Sequence, residues 1–195
     1  MDGVLNPMPL SEIFYDYLES PAEAEKTIKE RPPLALAFCG FLAAALALSL
    51  WESLGSGGFL FFTFKTVSIF LWNFLSAFLL AALIHLYASM RNSSETFAPT
   101  AAKSLVVYFG LSDFAWTLAA VAAFFSLISS PLHYLSFLVI AIASFLNLAL
   151  KARGIKSVYR FSGPKSWLLA LAPYVLLAFF GVCFMILGLL GLFLR

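Results

Sequence analysis

One acidic residue lies where a carboxylate is hardest to keep. Asp113 is the sole acid in the stretch 104–130, which is otherwise apolar or weakly polar and long enough to cross a bilayer. An ionised carboxylate in hydrocarbon must pair, face water or take up a proton. Ten residues separate it from Lys103, about 15 Å of helix, which places it near mid-membrane. The groups on other apolar stretches able to answer it are Asn73, His85, Asn147 and, nearer the opposite surface, Lys65. Arranged around a cavity open to the cytoplasm, Asp113, His85, Asn147 and Asn73 would make a proton or cation path. Bonded to each other, they would only hold helices together.

No other chemistry is encoded at recognisable spacing. Seven of the ten carboxylates fall within the first 31 residues, and the two histidines, His85 and His133, lie on different apolar stretches. None of the patterns HExxH, GxSxG, GxxxxGK[ST] or CxxC occurs. Cys39 and Cys183 both sit inside apolar stretches, where a thiol packs as a small hydrophobe. The expectation is therefore no catalytic residue, no metal and no cofactor.

The elements that must position these groups are membrane helices. Charge-poor stretches run over 32–51, 66–90, 104–130, 131–150 and 166–194. Each matches the roughly 20 apolar residues needed to span about 30 Å of hydrocarbon. A mean hydropathy of +0.95 with 11% charged residues agrees. Ser129-Ser130-Pro131 breaks the longest apolar run into two spans joined almost without a loop. The fold class is all-α: a five-helix transmembrane bundle over 32–195 behind an N-terminal segment, 1–31.

Lys and Arg set the orientation. An N-terminus inside places ten basic residues in the cytoplasm and two outside. Short connections are where this bias is informative, so the N-terminus is expected in the cytoplasm and the C-terminus on the other side. The net charge of +2 then reflects topology and gives no reason to invoke nucleic acid. Lys151, Arg153, Lys156, Arg160 and Lys165, read as one connection, would also meet anionic headgroups.

Segment 1–31 reads as two short helices. Leu10, Ile13, Phe14, Tyr17 and Leu18 recur at helical period, with Asp16 and Glu19 on the other face. Ser20-Pro21-Ala22-Glu23 has a cap, a first-turn proline and a glutamate three residues on, and Pro32-Pro33 ends this second helix. The stripe Leu10, Ile13, Phe14, Tyr17 is expected to lie in the membrane interface over the ends of the spans, or to dock a partner protein. Small residues, Gly40 and Ala44 in the first span and Gly181, Gly188 and Gly191 in the last, suit close helix packing within one chain or between copies.

The layout resembles the Yip-domain (Ypt/Rab-interacting) family of five-span membrane proteins, in its short prokaryotic form. The resemblance begins at Ser20-Pro21-Ala22-Glu23-Ala24-Glu25-Lys26-Thr27-Ile28 and Pro32-Pro33, and includes Tyr108 in the third span. It continues through the near-loopless hairpin to Gly154-Ile155-Lys156-Ser157-Val158-Tyr159-Arg160-Phe161-Ser162 and the helix opening Leu168-Leu169-Ala170-Leu171-Ala172. It implies a cytoplasmic N-terminus, no catalysis, and action on membrane organisation or as a partner-binding subunit. The Asp-Leu-Tyr-Gly-Pro-like segment of eukaryotic members is missing. The third span reads Val107-Tyr108-Phe109-Gly110-Leu111-Ser112-Asp113, without the family's Gly-Tyr and proline. Binding of Rab-type GTPases is accordingly not carried over. The other function in view is a small transporter, channel or lipid-handling protein built on Asp113.

Overall fold

A computed structural model describes residues 9–19, 21–53, 58–91, 100–128 and 130–193, with the side chains of 18, 21–23, 130–133 and 187–193 left aside. The Ser20 cap and Ser129 thus lie outside the described residues, as do the side chains of Leu18, Glu23 and His133 and the packing expected of Gly188 and Gly191. Two short helices, α1 (Leu10–Glu19) and α2 (Pro21–Glu30), precede α3 (Leu34–Ser53) and α4 (Phe59–Arg91). Then come α5 (Ala101–Asp113), a 3₁₀ turn (Phe114–Thr117), α6 (Leu118–Ile128), α7 (Ser130–Tyr159) and α8 (Gly163–Phe193). Five helical segments are long and apolar enough to cross a membrane, α5 to α6 counting as one. The protein is an all-α multi-pass bundle.

The helices sort by side-chain size, because polarity offers nothing to sort by. In lipid the hydrocarbon outside is as apolar as the helix surface, so close packing rather than burial draws helices together. On α3, Phe38, Leu42, Leu46 and Leu50 recur every four residues and stay exposed, while Ala37, Gly40, Ala44, Ala45 and Ala47 are buried. Most of the large residues of α3 point to lipid and most of the small ones inward, with Leu36 and Phe41 the large side chains that enter the core.

What they enclose is α5. Every residue from Ser104 to Asp113 is buried. Its neighbours approach closely at two glycine positions, the first of them backbone to backbone. A Cβ on Gly40 of α3 would overlap the Gly110 carbonyl of α5, and one on Gly110 would lie 2.6 Å from the Ala37 carbonyl oxygen. On the other side a Cβ on Gly154 of α7 would come within 2.6 Å of the Tyr108 Cβ. Gly181 of α8 has nothing within 4 Å of the same position, so its expected packing role within the chain is not used. α8 packs through its first turns, where Ser166 and Ala170 are buried, and from Val175 to Ile186 its large side chains face outward.

Two boundaries differ from the sequence reading. α4 begins at Phe59, seven residues before the expected 66, because Lys65 is carried inside the helix and ion-pairs with Glu52 on α3. α7 continues past 150 to Tyr159, so most of the expected basic connection is helix. Lys and Arg are good helix formers, and basic residues alone give a helix no reason to stop. The stop comes at Arg160, whose φ of 52° is the left-handed cap conformation.

The N-terminal helices are built into the bundle. Ile13, Tyr17, Ala24 and Ile28 are buried in the same apolar cluster as α3, α5 and α7 residues. Phe14 packs on Phe114 with ring centroids 4.8 Å apart, and Tyr17 on Tyr108 at 6.2 Å. Ser104 Oγ donates to the Ile28 carbonyl at 2.9 Å, tying α2 to α5. The expected interfacial stripe therefore meets protein along Ile13, Phe14 and Tyr17, and only Leu10, 40% exposed, stays at the edge.

The glycine contacts yield a direct test. Gly110→Ala should lower stability by about 1–3 kcal/mol through overpacking, read as a drop in Tm in detergent. Gly181→Ala, in open space on a helix, should be neutral or gain roughly 0.5–1 kcal/mol. Equal effects at the two sites would refute the packing scheme.

Candidate functional site

Asp113 ends α5, where the chain tightens into the 3₁₀ turn, and is 3% exposed. Its Oδ1 accepts a hydrogen bond from Asn147 Nδ2 at 2.7 Å and faces Lys151 Nζ at 3.1 Å. Asn147 and Lys151 stand four residues apart on α7, so one helix face delivers both. The acid is thus neutralised by a cation, hydrogen-bonded by an amide, and held at the junction of α5 and α7. Asn147 Oδ1 is buried without a hydrogen-bond partner among the described residues.

The structure brings Asp113 and Asn147 together and leaves the other two expected members of the cluster elsewhere. His85, in the last turns of α4, bonds through Nδ1 to the Tyr159 hydroxyl at 3.0 Å. Asn73 is on the middle of α4, its Nδ2 buried and unpartnered. Both residues belong to α4, whereas the Asp113 carboxylate bonds to Asn147 and Lys151 of α7, about two turns along that helix from the Tyr159 that His85 meets.

The basic set divides as well. Lys151 turns inward to Asp113 with its side chain 16% exposed, and does not reach for headgroups. Arg153, Lys156 and Arg160 are exposed. Lys165 lies over the Phe161 ring at 3.7 Å and the Tyr87 ring at 4.9 Å, a cation–π arrangement. Tyr159 stacks on Phe161 beside it with centroids 5.7 Å apart, and Arg91 donates to the Tyr87 hydroxyl at 3.2 Å. Composition and spacing showed nothing of this aromatic group; its members come from α4, α7, α8 and the turn between the last two. Lys151 as partner of Asp113 was visible in principle, since Asn147 and Lys151 share a helix face.

Outside the spans, the contact of α2 with α7 is electrostatic. Burial alone would raise the Glu25 carboxyl, but hydrogen bonds from Lys29 and Ser157 and the charge of Arg153 outweigh it and hold it below the usual range. The Lys29 Nζ–Glu25 distance is 2.6 Å. Burial pushes the Tyr17 hydroxyl up to about 12, against the opposing charge of Arg153. Among the described residues no three His, Cys, Asp or Glu side chains converge as metal ligands would.

The sequence matches the Yip1 domain over residues 15–185. The chain belongs to the Yip1 domain family. No curated protein and no solved structure matches it significantly. The Yip1 domain begins inside α1 and ends inside α8.

The Asp113 environment makes a prediction opposite to that for an unpaired acid. Asp113→Asn strands the Lys151 ammonium and should cost about 3–5 kcal/mol, seen as a large loss of Tm in detergent. Asp113→Asn combined with Lys151→Met, which removes both charges, should recover most of it. Additive losses in the double variant would show that the pair does not couple.

Proposed function

We propose that this Yip1 domain protein is non-enzymatic and works as a docking and organising element of the membrane, offering a rigid acidic face to a protein partner. The observation that carries this reading is the seating of α1. Ile13 and Tyr17 are locked into the bundle, which turns Glu12, Tyr15 and Glu19 outward as exposed residues, Tyr15 at 59%. An acidic surface with an exposed aromatic, fixed on a helix that cannot fold away, has the composition of a recognition surface for a basic partner. The proposed orientation sets that face in the cytoplasm, supported by the ten-to-two distribution of Lys and Arg.

The non-enzymatic reading is supported by how the ionisable groups within the spans are used. Asp113 is taken up by Lys151 and Asn147, and His85 by Tyr159. A transporter, channel or lipid-handling protein acting through Asp113 is the competing reading. It needs a carboxylate free to exchange partners, and a cation fixed on it from the neighbouring helix argues for a joint instead.

Two measurements test the proposal. A photo-crosslinking amino acid at Tyr15 or Glu19 should give a discrete protein adduct in native membranes, and the same probe at lipid-facing Leu42 should not. Absence of adducts at Tyr15 and Glu19 would remove the docking face. For orientation, with Cys39 and Cys183 replaced by alanine, Gly58→Cys should label from outside intact cells and Lys156→Cys only after permeabilisation. The reverse pattern would overturn the topology. Ion flux in liposomes above background, abolished by the Asp113→Asn/Lys151→Met pair, would favour the competing reading.

A further inference from the structure

A cleft of about 480 Å³ runs between α3 and α4 with α5 at its floor, lined by Leu34, Phe38, Cys39, Phe74, Phe78 and Val106 among others. Its volume falls in the ~300–1,000 Å³ range of small-molecule sites. No charged or hydrogen-bonding side chain other than the Cys39 thiol enters it. Its walls are set by ring packing: Phe38 meets Phe70 edge-on at 4.9 Å, and Phe41 meets Phe74 edge-on at 6.1 Å. Exposed Phe38 and Cys39 stand at its rim, on the lipid side of α3. An apolar cleft opening between membrane-crossing helices offers water no partners, so hydrocarbon is what fills it.

The end of this cleft carries charge. Val106 on its floor and Lys103 are three residues apart on α5 and share a helix face, with Lys103 at the α5 N-terminal end. Leu34 is three residues beyond Arg31. The two basic residues start from adjoining backbone, because Thr100 Oγ1 donates to the Lys29 carbonyl at 3.4 Å and Ser104 Oγ to that of Ile28. Arg31 and Lys103 are both exposed, and neither is in the ion pairs found among the described residues, Lys29–Glu25, Lys65–Glu52 and Lys151–Asp113. Glu30, exposed beside Arg31, offsets one of the two charges at most. Thr100, turned to Lys29, does not cap α5 with its side chain, so the positive end of that helix faces the same place.

We propose that the α3–α4 cleft holds one acyl chain of an anionic phospholipid, with the lipid phosphate between Arg31 and Lys103. An apolar cleft with two basic residues placed three positions from its Leu34 and Val106 lining matches the two halves of such a lipid, and a zwitterionic headgroup would gain less there. The site is defined by the α2–α3 corner and holds whichever side of the membrane that corner faces. It uses neither Asp113 nor the acidic face of α1.

The test is native mass spectrometry of the full chain released from nanodiscs of equimolar palmitoyl-oleoyl phosphatidylglycerol and phosphatidylcholine. One phosphatidylglycerol should be retained in preference. Arg31→Gln and Lys103→Gln should each weaken retention about fivefold, and together about thirtyfold, erasing the headgroup preference. Cys39→Trp should fill the cleft and remove the bound lipid, whereas Leu46→Trp, on the lipid-facing stripe outside the cleft, should leave it. Tm reports whether each variant is folded, and Ala35→Leu serves as a milder filling should Cys39→Trp fail to fold. Equal retention of the two lipids, or retention unchanged by filling the cleft, would overturn the proposal. So would a dimer that the filling variant converts to monomer, since a second copy would then occupy the cleft.

Discussion

Everything in this fold hangs on the encirclement of α5 at backbone contact. A helix surrounded by lipid gains nothing by burying one more leucine, so a helix enters the middle of a membrane bundle only where neighbours fit it closely. Gly40 against Gly110 and Gly154 against Tyr108 provide that fit on two sides. α2 closes the same helix near its start through Ile28, and α1 closes it further along through Tyr17 on Tyr108. α3 can bring its small face inward because its bulky residues repeat every four positions on the other side. The outer parts of the bundle, above all α8 from Val175 to Ile186, carry far fewer constraints and correspondingly few buried residues.

A second constraint arises from the first. Once α5 is central, the carboxylate at its end cannot snorkel to water, so its charge has to be met on the spot. α7 meets it with two side chains one turn apart, an ammonium for the charge and an amide for the remaining directionality. The helix tightens into a 3₁₀ turn immediately afterwards, at Phe114, whose ring receives Phe14 of α1. The polar joint and the docking of the N-terminal helices therefore share one stretch of chain. Their coupling is local: a shift of Asp113 would move the surface on which α1 rests.

The N-terminal hairpin shows how amphipathicity can be read correctly and assigned to the wrong neighbour. A stripe at helical period says that one face will be covered; it does not say by what. Lipid headgroups, a partner protein and the protein's own helices would select the same residues. The closeness of Tyr17 to Tyr108 and the hydrogen bonds from α5 to the carbonyls of α2 assign most of that face to the bundle, leaving the acidic side as the free surface.

By itself the sequence determined the helical class, the five crossings, the break at Ser129-Ser130-Pro131 and the isolation of Asp113, since these derive from length, hydropathy and the cost of charge in hydrocarbon. The combination of layout and motifs also pointed to the Yip1 domain family. Tertiary structure decided what each polar residue faces. Both α4 and α7 adjoin α5, and whether His85 or Lys151 answers Asp113 depends on the level at which each side chain enters, which no amphipathic pattern in an apolar chain records. The same holds for where α4 starts and α7 stops. Charges were read as ends of helices, yet a lysine paired across the bundle can sit inside one, as Lys65 does with Glu52 and Lys151 with Asp113. The cost of a buried charge is legible in the residues, and only the packing shows where its partner stands.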